Sequence, residues 1–247
     1  MKIGIIGLGN LGSSLLEGLL KSGTDGADIS ICELASLVPE IGKKHGVFAT
    51  DDINEVFTRS DIVFLTVKGY VFAELAKKVA QPVSVEKTVV SFMAGVQFDT
   101  LYSQIGQCSI VRAMPTLAIA ANDGIIGYTK APAAVEEIFR SLGYAFECAP
   151  DEIEKVMAFS ACGLGFAAYL IDAFKTAGQK LGFSEKDSAE IAQITFKNAI
   201  DRGNYEATVK AVATKGGATE QGVLHMDACD TYSIVADAVK KAYERMI

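Results

Sequence analysis

Three glycines and one carboxylate near the start of the chain are spaced to hold a phosphate-bearing ligand. The segment Gly7-Leu8-Gly9-Asn10-Leu11-Gly12 follows a short apolar run and opens a stretch of helical periodicity. That setting gives weight to an otherwise common glycine spacing. Gly7 suits a tight turn, Gly9 lets the backbone approach a pyrophosphate, and Gly12 lets a helix close on a strand. The amides at the helix start, Asn10 and Leu11 among them, and the helix dipole favour negative charge. Glu33 follows at the end of the next apolar run, where an acidic side chain accepts hydrogen bonds from a ribose 2′-hydroxyl and repels a 2′-phosphate. The expected ligand is a nicotinamide dinucleotide, NADH or NADPH, with NADH favoured by Glu33. The plainer alternatives are a glycine-rich turn without ligand and a Glu33 that points into solvent.

A second anion cradle stands far down the chain, at Thr214-Lys215-Gly216-Gly217-Ala218-Thr219. A Gly-Gly pair before a helix presents unpaired amides, so Gly216, Gly217 and Ala218 could hold a carboxylate by their backbone. An ordinary helix start capped by Thr214 explains the same residues. Other chemistry has little material. There are two histidines, His45 and His225, and five scattered cysteines, Cys32, Cys108, Cys148, Cys162 and Cys229, without a Cys-x-x-Cys pair. No metal site is expected, and the thiols read as reduced ones in a cytoplasm.

The elements that must position these residues follow one pattern in the first half: apolar run, turn, helical period. Strands are expected at Lys2–Ile6, Asp28–Cys32, Ile62–Val67, Thr88–Phe92, Ile110–Met114, Gly124–Tyr128 and Tyr144–Glu147. Helices are expected at Leu11–Ser22, Leu34–His45, Ile53–Thr58, Val71–Ala80, Phe98–Ile105 and Ala133–Leu142. This is an α/β class, a doubly wound parallel sheet over residues 1–150. Past Pro150, read as a hinge with Asp151 as the following cap, strand-like alternation stops and residues 151–247 read as an all-helical domain. Phe159–Leu181 is nearly all apolar and should be buried on most sides; Ser184–Arg202 and Thr231–Met246 are amphipathic. A helical set with such a member often buries it against a second subunit, which predicts a dimer.

Composition narrows the partners. Half of the 247 residues are hydrophobic and the formal net charge is −7, so the chain can bury a full core and has no overall field for nucleic acid or an anionic membrane. The lysine pairs Lys43-Lys44, Lys77-Lys78 and Lys240-Lys241 read as solvated helix faces. The chain starts straight into a strand, and no apolar stretch is expected to reach the roughly 18 residues of a membrane span. A cytoplasmic protein with a small-molecule substrate, and neither nucleic acid nor membrane as partner, is the expectation.

The sequence resembles the pyrroline-5-carboxylate reductase family along its whole length. The motifs are GLGN at Gly7–Asn10, VKG at Val67–Gly69, SFMAG at Ser91–Gly95, VRAMPT at Val111–Thr116 and TKGGAT at Thr214–Thr219. The resemblance implies a Rossmann-type N-terminal domain and a helical C-terminal dimerisation domain. It also implies a homodimer, often assembled further, and NAD(P)H-dependent reduction of a cyclic imine carboxylate to proline in amino-acid biosynthesis. It assigns the catalytic hydroxyl to Thr219 and adds Val67 and Lys68 to the cofactor site. On this reading Ala94 and Gly95 pass beneath the nicotinamide, Met114 and Pro115 line its ribose side, and Thr214 with Gly216–Thr219 holds the substrate.

The chain departs from the family pattern at several positions. Gly69 replaces a proline, and Thr116 replaces an asparagine. Ser160-Ala161-Cys162-Gly163-Leu164-Gly165-Phe166 replaces Ser-Gly-Ser-Gly-Pro-Ala-Tyr, and Arg202–Tyr205 lacks a Gly-Glu-His-Pro. These changes touch the cofactor and substrate walls, so reduction of a different cyclic imine is a rival reading. A hydroxy-acid dehydrogenase is another; it needs a base such as a lysine on the first long helix, and the first lysine there is Lys175. The non-enzymatic rival, a dinucleotide-binding sensor, has no use for the Gly-Gly-Ala-Thr loop.

Overall fold

A computed structural model describes residues 1–246. They form two compact units: Met1–Ala161 with Arg245 and Met246, and Cys162–Glu244. In the first, strand and helix alternate: β1 (Ile3–Ile6), α1 (Asn10–Lys21), β2 (Ile29–Cys32), α2 (Val38–His45), β3 (Phe48–Thr50), α3 (Ile53–Arg59), β4 (Ile62–Leu65) and α4 (Gly69–Ala76). There follow β5 (Thr88–Ser91), α5 (Phe98–Ile105), β6 (Ser109–Pro115), β7 (Gly124–Tyr128), α6 (Ala133–Leu142), β8 (Gly143–Glu147) and α7 (Ile153–Phe159).

The eight strands form one sheet in the order β3-β2-β1-β4-β5-β6-β7-β8. The first six are parallel, β7 reverses against β6, and β8 follows β7. Successive side chains of the central strands go to opposite faces, and both faces are apolar. Ile3, Ile5, Ile29, Ile31, Ile62 and Phe64 join Leu15, Leu16 and Leu19 of α1 and Phe139 of α6 in one core. Ile6, Cys32, Val63, Leu65 and Val89 join Val56 of α3, Phe72 of α4 and Leu101 of α5 in the other. A parallel sheet covered on both sides requires this uninterrupted apolar run, and the strand order reverses at β1, where open α/β sheets bind ligands beyond their carboxyl ends.

The second unit is helical: α8 (Ala161–Lys180), α9 (Glu185–Arg202), α10 (Tyr205–Val212), α11 (Ala218–Ala228) and α12 (Thr231–Glu244). Ser184 caps α9 by accepting the Asp187 N–H at 3.1 Å. Phe174 of α8 meets Phe196 of α9 edge-on, with ring centroids 5.8 Å apart.

Several expectations need correction. The three-residue strand β3 was not anticipated. Helix α2 starts at Val38 rather than Leu34, because a start at Leu34 would put Pro39 in the helix interior, where its ring clashes with a carbonyl one turn back; here Pro39 sits in the first turn. Helix α4 begins and ends earlier than expected. The Asn54 side chain donates to the Lys78 carbonyl (3.0 Å) and accepts the Ala80 N–H (2.8 Å), diverting the backbone after Ala76. Asp151 is not a helix cap: it lies inside a short turn, Pro150–Glu152, where Glu152 instead accepts the Ala149 N–H at 3.0 Å. Helix α8 is not enclosed, since none of its residues is buried within the chain. Within Pro150–Lys180 an 18-residue stretch with a mean hydropathy of 1.6 is also long and apolar enough to cross a membrane by length and composition, contrary to the expectation that no stretch qualifies. Asp172 and Lys175 of α8 pair with each other at 2.6 Å.

Candidate active site

In the first unit the glycine loop is built by close approach. Gly7 turns out of β1 with φ +95°, its N–H donating to the Cys32 carbonyl at 2.9 Å. A side chain on Gly7 would run into Val67, and one on Gly12 would run into the Gly7 carbonyl and come within 2.9 Å of the Thr66 hydroxyl. Helix α1 therefore lies against the turn it grows from. A side chain on Gly9 would meet nothing within 4 Å, so the space in front of the helix start is open. Gly9 is the N-cap and offers no side chain, leaving the first-turn amides of Asn10 and Leu11 without intrahelical acceptors. An open approach to unpaired amides at a helix start fits a dinucleotide pyrophosphate.

Glu33 closes this loop from the side. One carboxylate oxygen accepts the Leu8 N–H at 2.6 Å and the other accepts the Leu34 N–H at 2.9 Å. The carboxylate is thus aimed at the glycine turn, half-buried, rather than free in solvent. Thr66, which sequence reasoning passed over, donates its hydroxyl to the Gly7 carbonyl at 2.6 Å with a longer contact to Ile6 at 3.0 Å, tying β4 to the turn. Lys68, next to Val67, is exposed and caps α4 through its backbone.

Beyond β5, Ala94 and Gly95 are exposed at the carboxyl end of the sheet, while Met114 and Pro115 are buried in β6 and register with Gly127 and Ile126 of β7. Thr116, at the asparagine position of the resemblance, exchanges hydrogen bonds with Ile125: its hydroxyl accepts the Ile125 N–H at 3.0 Å and its own N–H reaches the Ile125 carbonyl at 2.9 Å. Gly69 also has a local cause, because a Cβ there would come within 2.7 Å of Val96. A separate groove of about 510 Å³, walled by Ile125, Tyr144, Phe146, Val156 and Phe159, lies on β7, β8 and α7 and contains none of the glycine-loop residues.

In the second unit, Thr214 to Gly217 form a turn closed by the Gly217 N–H on the Thr214 carbonyl at 2.8 Å. Gly217, not Thr214, is the N-cap of α11, and no side chain caps it. The Gly216 N–H is already engaged by the Glu220 carboxylate at 2.7 Å. The first-turn amides of Ala218 and Thr219 are the ones left to an external anion, and Thr219 is exposed. Lys175 does not resemble a catalytic base: its hydrogen bond to Asp172 raises its pKa, whereas a base must give up its proton readily. Among the described residues no cluster of three potential metal ligands occurs.

A glycine-loop sheet with a carboxylate at the ribose position, followed in the chain by a helical segment, defines a nicotinamide-dependent oxidoreductase. Residues 2–95 match the family described as NADP oxidoreductase coenzyme F420-dependent, and residues 150–247 match pyrroline-5-carboxylate reductase dimerisation. A pyrroline-5-carboxylate reductase of Staphylococcus saprophyticus is 25% identical over 263 residues, covering 100% of this chain and 97% of the relative. The crystal structure of Plasmodium falciparum pyrroline carboxylate reductase with NADP bound superposes with a TM-score of 0.89 at 21% identity, covering 100% and 97% of the two chains. That of 1-pyrroline-5-carboxylate reductase from Streptococcus pyogenes superposes at 0.90 and 20%, covering 100% and 98%. The chain is homologous over its full length to pyrroline-5-carboxylate reductases, at about 25% identity, and its C-terminal match to a dimerisation domain implies a homo-oligomer.

Proposed function

We propose that this protein reduces 1-pyrroline-5-carboxylate to L-proline with NADH, the closing step of proline biosynthesis, as a cytoplasmic homodimer. The observation that carries the reading is the full-length kinship with pyrroline-5-carboxylate reductases, together with a cap-free Gly-Gly-Ala-Thr helix start at α11. Residues 1–150 serve as the dinucleotide domain and residues 151–247 as the substrate and dimerisation domain.

Each residue has a definite task in this reading. The amides of Asn10 and Leu11, approached past Gly9 and braced by Gly7 and Gly12, hold the pyrophosphate. Glu33 accepts the ribose 2′-hydroxyl. Val67 and Lys68 border the same ligand, Ala94 and Gly95 support its nicotinamide end by their backbone, and Met114 and Pro115 exclude water there. When bound, the reduced nicotinamide supplies a hydride to the carbon of the C=N bond. The amides of Ala218 and Thr219, in the turn shaped by Thr214, Gly216 and Gly217, hold the substrate carboxylate. The Thr219 hydroxyl hydrogen-bonds the ring nitrogen and relays to it a proton from water, so that the hydride acceptor is the protonated iminium and the hydroxyl is restored. An iminium supplies its own electrophile, so most of the acceleration comes from orientation.

Purified protein mixed with NADH and pyrroline-5-carboxylate should lose the absorbance of reduced nicotinamide and yield proline. Turnover of a six-membered or substituted cyclic imine, with none of the five-membered substrate, would replace this reading by that of a different imine reductase. Thr219→Ala should lower kcat with little change in NADH affinity; wild-type kcat and KM in that variant would remove Thr219 from the site.

A further inference from the structure

One pair of buried charges has no part in the chemistry above. Arg112, in the middle of β6, and Glu154, on α7, form an ion pair with side chains only 1% and 5% exposed. Burying two charges costs about as much as their attraction returns, and apolar residues of similar volume often serve stability as well or better. The reason for ions here is better sought in what they hold. The Glu154 oxygen that receives the Arg112 guanidinium also accepts the Gly95 N–H at 3.3 Å. Another guanidinium nitrogen of Arg112 donates to the Gln97 side-chain oxygen at 3.0 Å and to the Pro150 carbonyl at 3.3 Å. Both ends of the segment Gly95-Val96-Gln97 are therefore tied to a single ion pair.

The segment needs such ties. It is the exit from β5 at the carboxyl end of the sheet, Gly95 has φ +70°, and Gly95 and Gln97 are both exposed. The Arg112 backbone is itself fixed, its N–H donating to the Thr129 hydroxyl of the neighbouring chain segment at 3.0 Å. The remaining guanidinium nitrogen, Nε, is buried without an acceptor among the described residues. A pair kept for stability alone has no need of that cost.

We propose that Arg112 and Glu154 are positioning residues that fix the backbone at Gly95–Gln97 and thereby set the nicotinamide end of the cofactor for hydride transfer. The part of this inference that concerns hydride transfer rests on the reading of the preceding subsection. The test is the double variant R112M/E154L, which removes both charges and leaves neither unpaired, beside R112M/E154Q, which returns an uncharged acceptor to the Gly95 N–H.

In R112M/E154L the cofactor-free protein should keep a melting temperature close to wild type, while the Gly95 amide, followed by NMR hydrogen exchange, exchanges at least about tenfold faster. The single-turnover rate with NADH and pyrroline-5-carboxylate should fall by at least about tenfold, since small misplacements of reacting groups are costly, with the NADH Kd changed less than about threefold. R112M/E154Q should regain the Gly95 protection and most of the rate. A folded R112M/E154L with wild-type exchange and wild-type hydride transfer would reduce the pair to a structural contact. Should that variant not fold, Gln97→Leu at its exposed position decides, with a several-fold slower transfer at constant NADH Kd expected and an unchanged rate overturning the proposal. If the wild-type protein reduces no pyrroline carboxylate, the functional reading falls, while the exchange of Gly95 still reports whether the pair holds the loop.

Discussion

Cofactor choice should turn on Glu33, and the size of the effect can be worked from its surroundings. The carboxylate is half-buried and oriented by two backbone N–H groups, those of Leu8 at 2.6 Å and Leu34 at 2.9 Å. A 2′-phosphate about 5 Å away would be repelled by about 3 kcal/mol at an effective dielectric of 20, and by under about 1 kcal/mol in bulk water. A half-buried group lies between these limits, at about 1.5–2 kcal/mol, or a factor of about 10–30 against NADPH. Glu33→Gln keeps an acceptor for the loop and for a ribose hydroxyl but removes the charge. The ratio of kcat/KM for NADH to that for NADPH, from initial rates with both cofactors, should drop at least about tenfold, chiefly through a lower KM for NADPH. Glu33→Ala, which also gives up the Leu8 contact, should weaken both cofactors. A wild-type enzyme that prefers NADPH, or an E33Q variant whose ratio stays within about twofold of wild type, would refute the argument.

Gly12→Ala forces a methyl group against the Gly7 carbonyl; a loss of about 1–3 kcal/mol from overpacking, read as a lower melting temperature, should accompany an NADH Kd at least about tenfold weaker. Burial holds the Cys32 thiol at a pKa of about 11, against an ordinary 9.0. The unfolded chain sheds this proton first, so stability from this group should decline as pH rises from about 9 to about 11, by about 2–3 kcal/mol. Urea melts of wild type and Cys32→Ala across that window check it, since the variant should lose less. Leu170→Glu on α8, an exposed position within the chain, should leave the monomer folded but shift the oligomer toward monomer in light scattering, because a lone charge buried in an apolar interface is unfavourable; an unchanged oligomer would place the interface elsewhere.

The parts of the fold that were legible in the sequence are those whose signal is local. Strands β1, β2, β4 and β5 are apolar on both faces and separated by helices with clear periodicity, so their order along the chain could be read directly. The edge strand β3 is only Phe48–Thr50, too short for an alternation to register. The Gly7–Gly12 loop and Glu33 were legible because a turn, a helix start and a strand end have fixed spacing. What Glu33 does to Leu8, 25 residues away, was not. The Arg112–Glu154 pair spans 42 residues; a hint was present in an arginine set within the apolar run Ile110–Met114, where a charge needs a partner. The composition of α8 calls for a cover, and a second subunit is the cover expected from it; an apolar helix says that something covers it, not that the same chain does.

The 2.7 Å approach between a Cβ at position 69 and Val96 couples the start of α4 to the loop that follows β5. A ring at position 69 requires Val96 to turn its side chain or give way to a smaller one, whereas the bare backbone of Gly69 leaves that side chain where it is. Grafting only the proline from a relative would thus bring in half of a matched set.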